Sequence, residues 1–174
     1  MKPGDLEDLT LLLIRDADEA DMWIDRWALS YPITERAECA ATQPLAEQQS
    51  HVAQAFARIH SESIMVVAHG AGAAAFMAWY GTLGMLAQRR IKGVILAAPP
   101  QAACQHNAVR YVRLMCNKAA LVVGQNSGEP QKWAAEQASL WGARLLVSPH
   151  PGHLNGALGG WQWGMKLMQE MLLA

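Results

Sequence analysis

The chain has 174 residues, of which 52% are hydrophobic and only 17% are charged, and its formal net charge is −1. This composition excludes a disordered chain. The near-zero net charge gives no bulk reason to bind nucleic acid or an anionic membrane. The length suits one domain over residues 1–174 with a sizeable core. Residues 5–25 hold eight acids and one base, which we interpret as a solvated surface.

The three cysteines, Cys39, Cys104 and Cys116, are odd in number and lack the spacing of metal ligands. No signal-peptide pattern precedes them, and the early apolar run at 9–14 is too short to span a bilayer. These features predict a cytoplasmic protein with reduced thiols and without a metal or another cofactor.

Predicted strands and helices alternate along the chain. Apolar runs predict strands at 9–14, 37–41, 63–68, 91–98, 119–124 and 143–147. Helical patterns predict helices at 19–29, 44–60, 71–86, 107–116, 129–141 and 161–173. The alternation predicts an α/β fold with three layers, in which a doubly wound, mostly parallel sheet has about six strands. In such sheets ligands bind outside the carboxyl ends of the strands.

The turn between the third predicted strand and the third predicted helix has the form of a nucleophile elbow. Its sequence Ala68-His69-Gly70-Ala71-Gly72 fits small-x-Ser-x-Gly except that Gly70 occupies the serine position. Glycine has no side-chain atom that could attack a substrate. The tip of an elbow has a strained backbone, which costs about 1–3 kcal/mol for a residue with a β-carbon. Glycine is therefore favoured at this position once catalysis is not required.

The same turn permits a second interpretation. Residues 70–75 satisfy G-x-G-x-x-A, the pattern in which glycines let a pyrophosphate approach the start of a helix. The pattern follows the third strand rather than the first, and no acid ends the next strand. A dinucleotide site is therefore disfavoured, although the backbone N–H groups at this helix start could hold a small anion.

Six segments, taken in order, resemble the small serine hydrolases of the YdeN and retinoblastoma-binding protein nine type. They are Trp23 with Trp27, the elbow at 66–72, Ala-Pro-Pro at 98–100, Trp-Gly-Ala at 141–143, Gly-His-Leu-Asn at 152–155 and Gly-Gly-Trp at 159–161. The resemblance covers nearly the whole chain. It implies a compact α/β-hydrolase fold, an esterase-like activity and His153 as the catalytic histidine.

The chain departs from this family where the resemblance would place chemistry. Gly70 stands at the nucleophile position, and Ser127 stands where the segment 126–130 would supply the catalytic acid. The family's glycine-rich turn after the first strand helps to form the oxyanion hole, but here it reads Arg15-Asp16-Ala17-Asp18. Its acids should repel a developing oxyanion. His153 is then the only remaining member of the triad, a remnant base.

These departures predict a pseudoenzyme that has lost the serine route and binds a small molecule or a protein. One alternative is a working hydrolase in which His153, held by Glu129 or Asn126, activates water or an unusual nucleophile such as Ser127 or Ser148. A protein–protein interaction module is a third reading. The sequence identifies no ligand, and it leaves open whether the chain forms a homo-oligomer.

The resemblance also predicts which residues surround the site. Besides Gly70, Ser127 and His153, we expect the site to be lined by His69, Ala71, Asp16, Ala17, Glu129 and Asn126.

Overall fold

The computed structural model describes residues 6–174, which build a six-stranded, fully parallel sheet. Its strands are β1 (Leu9–Asp16), β2 (Thr34–Cys39), β3 (Ser63–His69), β4 (Ile91–Ala97), β5 (Ala119–Gln125) and β6 (Arg144–Pro151). Their spatial order is β2-β1-β3-β4-β5-β6. Because the chain moves outward from β1 in one direction and from β3 in the other, the topological switch point lies between these two strands.

Helices cover both faces of the sheet. They are α1 (Trp23–Ser30), α2 (Leu45–Ala57), α3 (Ala71–Tyr80), α4 (Met85–Arg90), α5 (Gln101–Cys104), α6 (Asn107–Arg110), α7 (Gln131–Trp141) and α8 (Gln162–Leu173). Apolar side chains of α2, α3 and α7 share one core with the sheet. Those of α1 and α8 share a second core on the other face. The prediction of a doubly wound α/β fold is confirmed.

Helix α3 is the most deeply placed helix, since every one of its ten residues is buried. It follows β3, whose seven residues are also all buried. A Cβ atom built on Gly72 would lie 2.8 Å from Cγ2 and 2.9 Å from the carbonyl oxygen of Ile14. The glycine therefore lets the first turn of α3 approach the backbone of β1.

The predicted helix over 71–86 is wrong in its second half. Helix α3 ends at Tyr80, and α4 begins only at Met85 after a tight connection. The hydroxyl of Thr82 donates to the carbonyl of Trp79 at 2.6 Å, and the N–H of Leu83 donates to that of Tyr80 at 3.0 Å. The connection also leaves the core, because Gly81, Thr82 and Gly84 are exposed.

The predicted helix over 107–116 is likewise shorter, because α6 ends at Arg110. Side chains of α7 bind the carbonyls at its end: Gln137 donates to Arg110 and the indole of Trp141 donates to Val109, both at 2.9 Å. These contacts substitute for a further helical turn.

The remaining predicted elements are present with shifted ends. The largest shifts are at α1, which begins four residues later than predicted, and at β6, which continues to Pro151. The delay of α1 has a local cause, since the Arg15 guanidinium binds the carbonyls of Glu19 and Ala20 and holds the preceding residues in a turn.

Candidate active site

The elbow predicted at residues 68–72 is present at the switch point of the sheet. Strand β3 ends at His69, Gly70 has φ +58° and ψ −130°, and α3 begins at Ala71. The N–H of Gly70 still donates to the carbonyl of Ala97 on β4 at 2.9 Å, so the tip is fixed to the sheet. Side chains rarely adopt this conformation, which is the strained geometry that glycine relieves.

The carboxylate of Asp16 occupies the start of α3. Its Oδ2 atom accepts a hydrogen bond from the N–H of Ala71 at 3.1 Å, and its Oδ1 atom accepts one from the N–H of Asp18 at 3.0 Å. In α/β-hydrolases the N–H of the residue after the nucleophile forms part of the oxyanion hole. The anion at this helix start is therefore the protein's own carboxylate, which binds the donor that a substrate oxyanion would need.

Asp16 also fills the space of the missing side chain. A Cβ atom built on Gly70 would lie 2.5 Å from Oδ2 and 3.1 Å from Cβ of Asp16. A serine at position 70 and the carboxylate in its present place are thus sterically incompatible. The Asp16-Ala17-Asp18 turn also hydrogen-bonds to the neighbouring strand, since the N–H of the exposed Ala17 donates to the carbonyl of Cys39 at 3.0 Å.

His153, the expected remnant base, directs its backbone rather than its imidazole into the protein. Its carbonyl accepts a hydrogen bond from Nε2 of His69 at 2.9 Å. The residue itself is exposed, and its imidazole has no hydrogen bond within residues 6–174. No carboxylate of the described residues hydrogen-bonds to the ring, as one would in a catalytic triad.

His69 is a buried, neutral histidine. It is 2% exposed, and because a carbonyl can only accept, its Nε2 carries the proton. Its Nδ1 atom has no partner within the described residues. Burial lowers the pKa of this imidazole, against the hydrogen bond to His153 and the charge of Asp16, which raise it.

The segment at the position of the catalytic acid forms its own turn. The N–H of Glu129 donates to Oγ of Ser127 at 3.3 Å, and the exposed Asn126 adopts a left-handed φ of +50°. These residues line a surface cavity of about 400 Å³ between β5 and α7. Within residues 6–174, neither Ser127 nor Glu129 hydrogen-bonds to the imidazole of His153. The structure thus places the three triad positions near strand ends without joining them.

A buried serine–histidine contact was missed by the sequence analysis. Ser148 is fully buried, and its Oγ lies 3.0 Å from Nδ1 of His150. The indole of Trp161 donates to the same oxygen at 3.1 Å, and the tautomer of His150 decides whether the hydroxyl donates to the imidazole or accepts from it. The spacing of two residues on a strand places Ser148 and His150 on one face, a signal that could have predicted the pair.

The paired tryptophans hold the loop that carries His153. Nε1 of Trp23 donates to the carbonyl of Leu154 at 2.8 Å, and Nε1 of Trp27 donates to that of Gly160 at 2.7 Å. Both rings also pack with Trp161, with centroids 4.4 Å and 6.0 Å away. The tryptophans are therefore supports of the site and not ligands in it.

Within residues 6–174, no three His, Cys, Asp or Glu side chains lie together in a group that could hold a metal ion. None of the helices described in this range is long and apolar enough to cross a bilayer.

The fold is shared with solved hydrolase structures. A YdeN-like hydrolase from Pectobacterium atrosepticum superposes with a TM-score of 0.80 at 20% identity, over 98% of this chain and 94% of that one. Est1E from Butyrivibrio proteoclasticus gives 0.64 at 12% identity, over 94% and 87%. An esterase from Pyrococcus furiosus gives 0.59 at 11% identity, over 97% and 82%.

At the level of sequence, no curated protein matches the chain. The sequence model of the family described as serine hydrolase matches residues 15–170. That match includes the elbow, the acid-position segment and the loop of His153. The chain therefore belongs to the serine hydrolase family.

Proposed function

We propose that this chain is a catalytically inactive member of the family, a pseudoenzyme that acts by binding. The observation that carries the proposal is the Asp16 carboxylate, which accepts the N–H of Ala71 and occupies the space of a side chain at position 70. The elbow thus lacks a nucleophile, and its anion site is already occupied.

The size of the expected loss in turnover supports the loss of the serine route. In a serine protease with such a triad, removal of the nucleophile costs about 10⁶ in turnover. Loss of one oxyanion donor costs about 10²–10³. The two are not additive, but the first alone is enough to abolish useful esterase activity, and the exposed imidazole of His153 supplies no compensation.

A hydrolase that uses His153 with water or an unusual nucleophile is less well supported. Such a mechanism needs an oriented imidazole, and neither Glu129 nor Asn126 hydrogen-bonds to that ring within the described residues. Ser148 is bound to His150 and is fully buried, so it is not available to a substrate.

We also propose that the protein acts in the cytoplasm without a cofactor. The support is that Cys39, Cys104 and Cys116 are all unpaired thiols, as is usual in a reducing compartment.

The proposal is tested by activity assays on four proteins. These are the wild type, His153→Ala, Gly70→Ser with Ser127→Asp, and the same double variant with Asp16→Ala added. Short p-nitrophenyl esters report turnover, and a fluorophosphonate probe reports an activated serine.

We expect no activity in the wild type or in the double variant, and measurable labelling and turnover only when Asp16 is also removed. Wild-type turnover that disappears in His153→Ala would overturn the proposal in favour of the alternative hydrolase. Measurable and equal activity of the double and triple variants would show that the carboxylate does not block the site.

A further inference from the structure

The middle of this chain has a positive net charge because it lacks acids. No Asp or Glu occurs between Glu62 and Glu129, and the same segment holds six cationic residues: Arg89, Arg90, Lys92, Arg110, Arg113 and Lys118. Although the net charge of the whole chain is only −1, the early segment 5–25 is acidic and the segment 63–128 is basic. This separation of charge matters only if the cations share a surface.

Four of these cations line adjoining concavities at the amino ends of β4 and β5. Arg89, Lys92 and Lys118 line one cavity of about 290 Å³. Arg113 lines a neighbour of about 550 Å³ that shares Met115, Cys116 and Asn117 with the first. A third cavity, of about 440 Å³, shares Gln88 with the first cavity and Arg113 with the second. We call this surface the basic face. It lies at the opposite end of the strands from the elbow.

Among residues 6–174, no Asp or Glu side chain forms an ion pair with Arg89, Lys92 or Arg113 of the basic face. Within residues 6–174, the ion pairs to Asp or Glu side chains involve Arg15, Arg36 and Arg58. In the described part of the chain, the guanidinium of Arg89 donates to the sulfur of Met85 at 3.8 Å, and that of Arg113 donates to the carbonyl of Ser139 at 3.4 Å. Arg90 is different, since it binds the carbonyls of Ile59 and Ser61 and has a structural role. Lys118 donates to the carbonyl oxygen of Ala174, and Arg110 donates to Gln105. Arg89, Lys92 and Arg113 are therefore the cations available to an anionic partner.

Large apolar side chains are exposed beside these cations. Leu86 is 79% exposed, Tyr111 62%, Met85 59% and Met115 49%. The Arg89 contact joins Met85 to the first cavity, Met115 lines two of the hollows, and Tyr111 lines the third. Exposed apolar residues next to concavities are typical of protein interaction sites.

We propose that the basic face binds an acidic amphipathic segment of a partner protein, whose carboxylates meet Arg89, Lys92 and Arg113 while its apolar side chains pack on Met85, Leu86 and Met115. The charge complementarity selects an acidic partner. The hollows favour protruding side chains over a flat bilayer surface. Stacking of nucleic acid bases is disfavoured, because Arg110 covers one face of the exposed Tyr111 ring. Its guanidinium lies 5.7 Å from the ring centroid.

The experiment measures the fluorescence anisotropy of a labelled amphipathic peptide that has Leu on one face of a helix and Glu on the other. A peptide with Gln in place of each Glu is the matched probe. The protein is the full chain, as wild type, Arg89→Glu with Lys92→Glu, Leu86→Ser, and the control Lys132→Glu, an exposed cation on α7. Circular dichroism verifies that each variant is folded.

We expect the Glu peptide to bind at least about tenfold more tightly than the Gln peptide, because charged partners gain from complementary potentials. The double charge reversal should weaken binding by at least about tenfold, and Leu86→Ser should weaken it severalfold. Lys132→Glu should leave it unchanged, and added salt should weaken it.

Three results would overturn the proposal. They are equal affinity for the two peptides, insensitivity to the double charge reversal, and stronger binding to phosphatidylserine vesicles or single-stranded DNA than to the Glu peptide. Concentration-dependent self-association that the same double variant abolishes would replace the proposed partner with a second copy of this chain. Because the basic face is remote from the elbow, none of these results depends on the esterase assays.

Discussion

At position 70, backbone conformation and a neighbouring carboxylate both favour glycine. The left-handed φ of +58° disfavours any side chain, and Asp16 occupies the volume into which a side chain would project. The two effects have different origins, since one belongs to the elbow and the other to the loop after β1. They can therefore be separated by mutation.

Gly70→Ala should lower the free energy of unfolding by about 1–3 kcal/mol from backbone strain, with a further cost from the contact with Asp16. In the Asp16→Ala background the cost of Gly70→Ala should fall, because the contact with Oδ2 is gone. Urea denaturation of the four proteins in this double-mutant cycle measures the coupling, for which we expect about 0.5–3 kcal/mol. Strictly additive effects would contradict the overlap of the two side chains.

His69 should make stability depend on pH. Burial lowers its pKa in the folded protein, so below about pH 6.5 the unfolded chain takes up a proton that the folded chain refuses. Stability is then complete above the unfolded pKa and is lost as the pH falls, by up to about 1.4 kcal/mol per pH unit. Urea midpoints between mildly alkaline and mildly acidic pH measure the slope.

The matched variant for this test is His69→Gln, which keeps a donor for the His153 carbonyl but does not titrate. It should flatten the slope, whereas His51→Gln, at an exposed position, should retain it. If His69→Gln kept the full slope, another group would be responsible.

At the residue scale, the sequence predicted the vacancy at position 70 but not what fills it. The acids of the turn were expected to repel a substrate oxyanion. Instead, Asp16 accepts a hydrogen bond from the N–H of Ala71, the group that would otherwise stabilise that oxyanion. This outcome depends on the side chain of Asp16, at the end of β1, pointing toward the start of α3. Local sequence patterns do not determine that direction. The Asp16–Asp18 spacing could have indicated a turn in which the first carboxylate binds the backbone.

At the scale of elements, α3 can approach β1 closely because Gly72 has no Cβ atom. Gly72→Ala should lower the free energy of unfolding by about 1–3 kcal/mol, because the new Cβ would lie within 3 Å of Ile14. Gly84→Ala is the control, since no atom lies within 4 Å of its built Cβ and its φ is −71°. We expect that change to stay within about 1 kcal/mol of neutral, because the lower entropy of the unfolded chain opposes the preference for glycine over alanine at the N-cap of α4. Thermal or urea unfolding measures both, and equal effects of the two alanines would contradict this close approach.

Element types were easier to predict than element ends. Periodicity predicted α3 correctly, but it did not predict the break at Gly81, because residues after the break remain apolar in sequence while being exposed in the structure. The end of α6 depends on Gln137 and Trp141, which come from a different helix. Tertiary contacts of this kind are not visible in a local pattern.

At the scale of the molecule, the sheet joins two cores that should unfold together. Cys39 and Cys104 lie in one core, where burial raises the pKa of each thiol to about 12. Trp23, Trp27 and Trp161 lie in the other. In a Cys116→Ser background, thiol pulse-labelling and the indole N–H resonances of Trp23, Trp27 and Trp161 should give the same urea midpoint, as a two-state transition requires. Thiols that react well before the tryptophan signal changes would show that the faces unfold separately.

The overall architecture was the most predictable feature of the chain. Alternating apolar strands and amphipathic helices indicated a doubly wound sheet, because only covered strands tolerate runs such as residues 63–68. The basic face was not predicted, since its cations come from segments that are separate in sequence and meet only at the amino ends of β4 and β5.

The overlap between Asp16 and position 70 also constrains evolutionary reversal. A lineage that regains serine first meets a steric clash, and one that loses the aspartate first gives up two backbone hydrogen bonds and gains no nucleophile. Each single step is deleterious or without benefit, and position 127 would also have to become an acid. On the proposed function, a return to serine chemistry therefore needs several coordinated substitutions, which is an evolutionary barrier that single mutations do not cross.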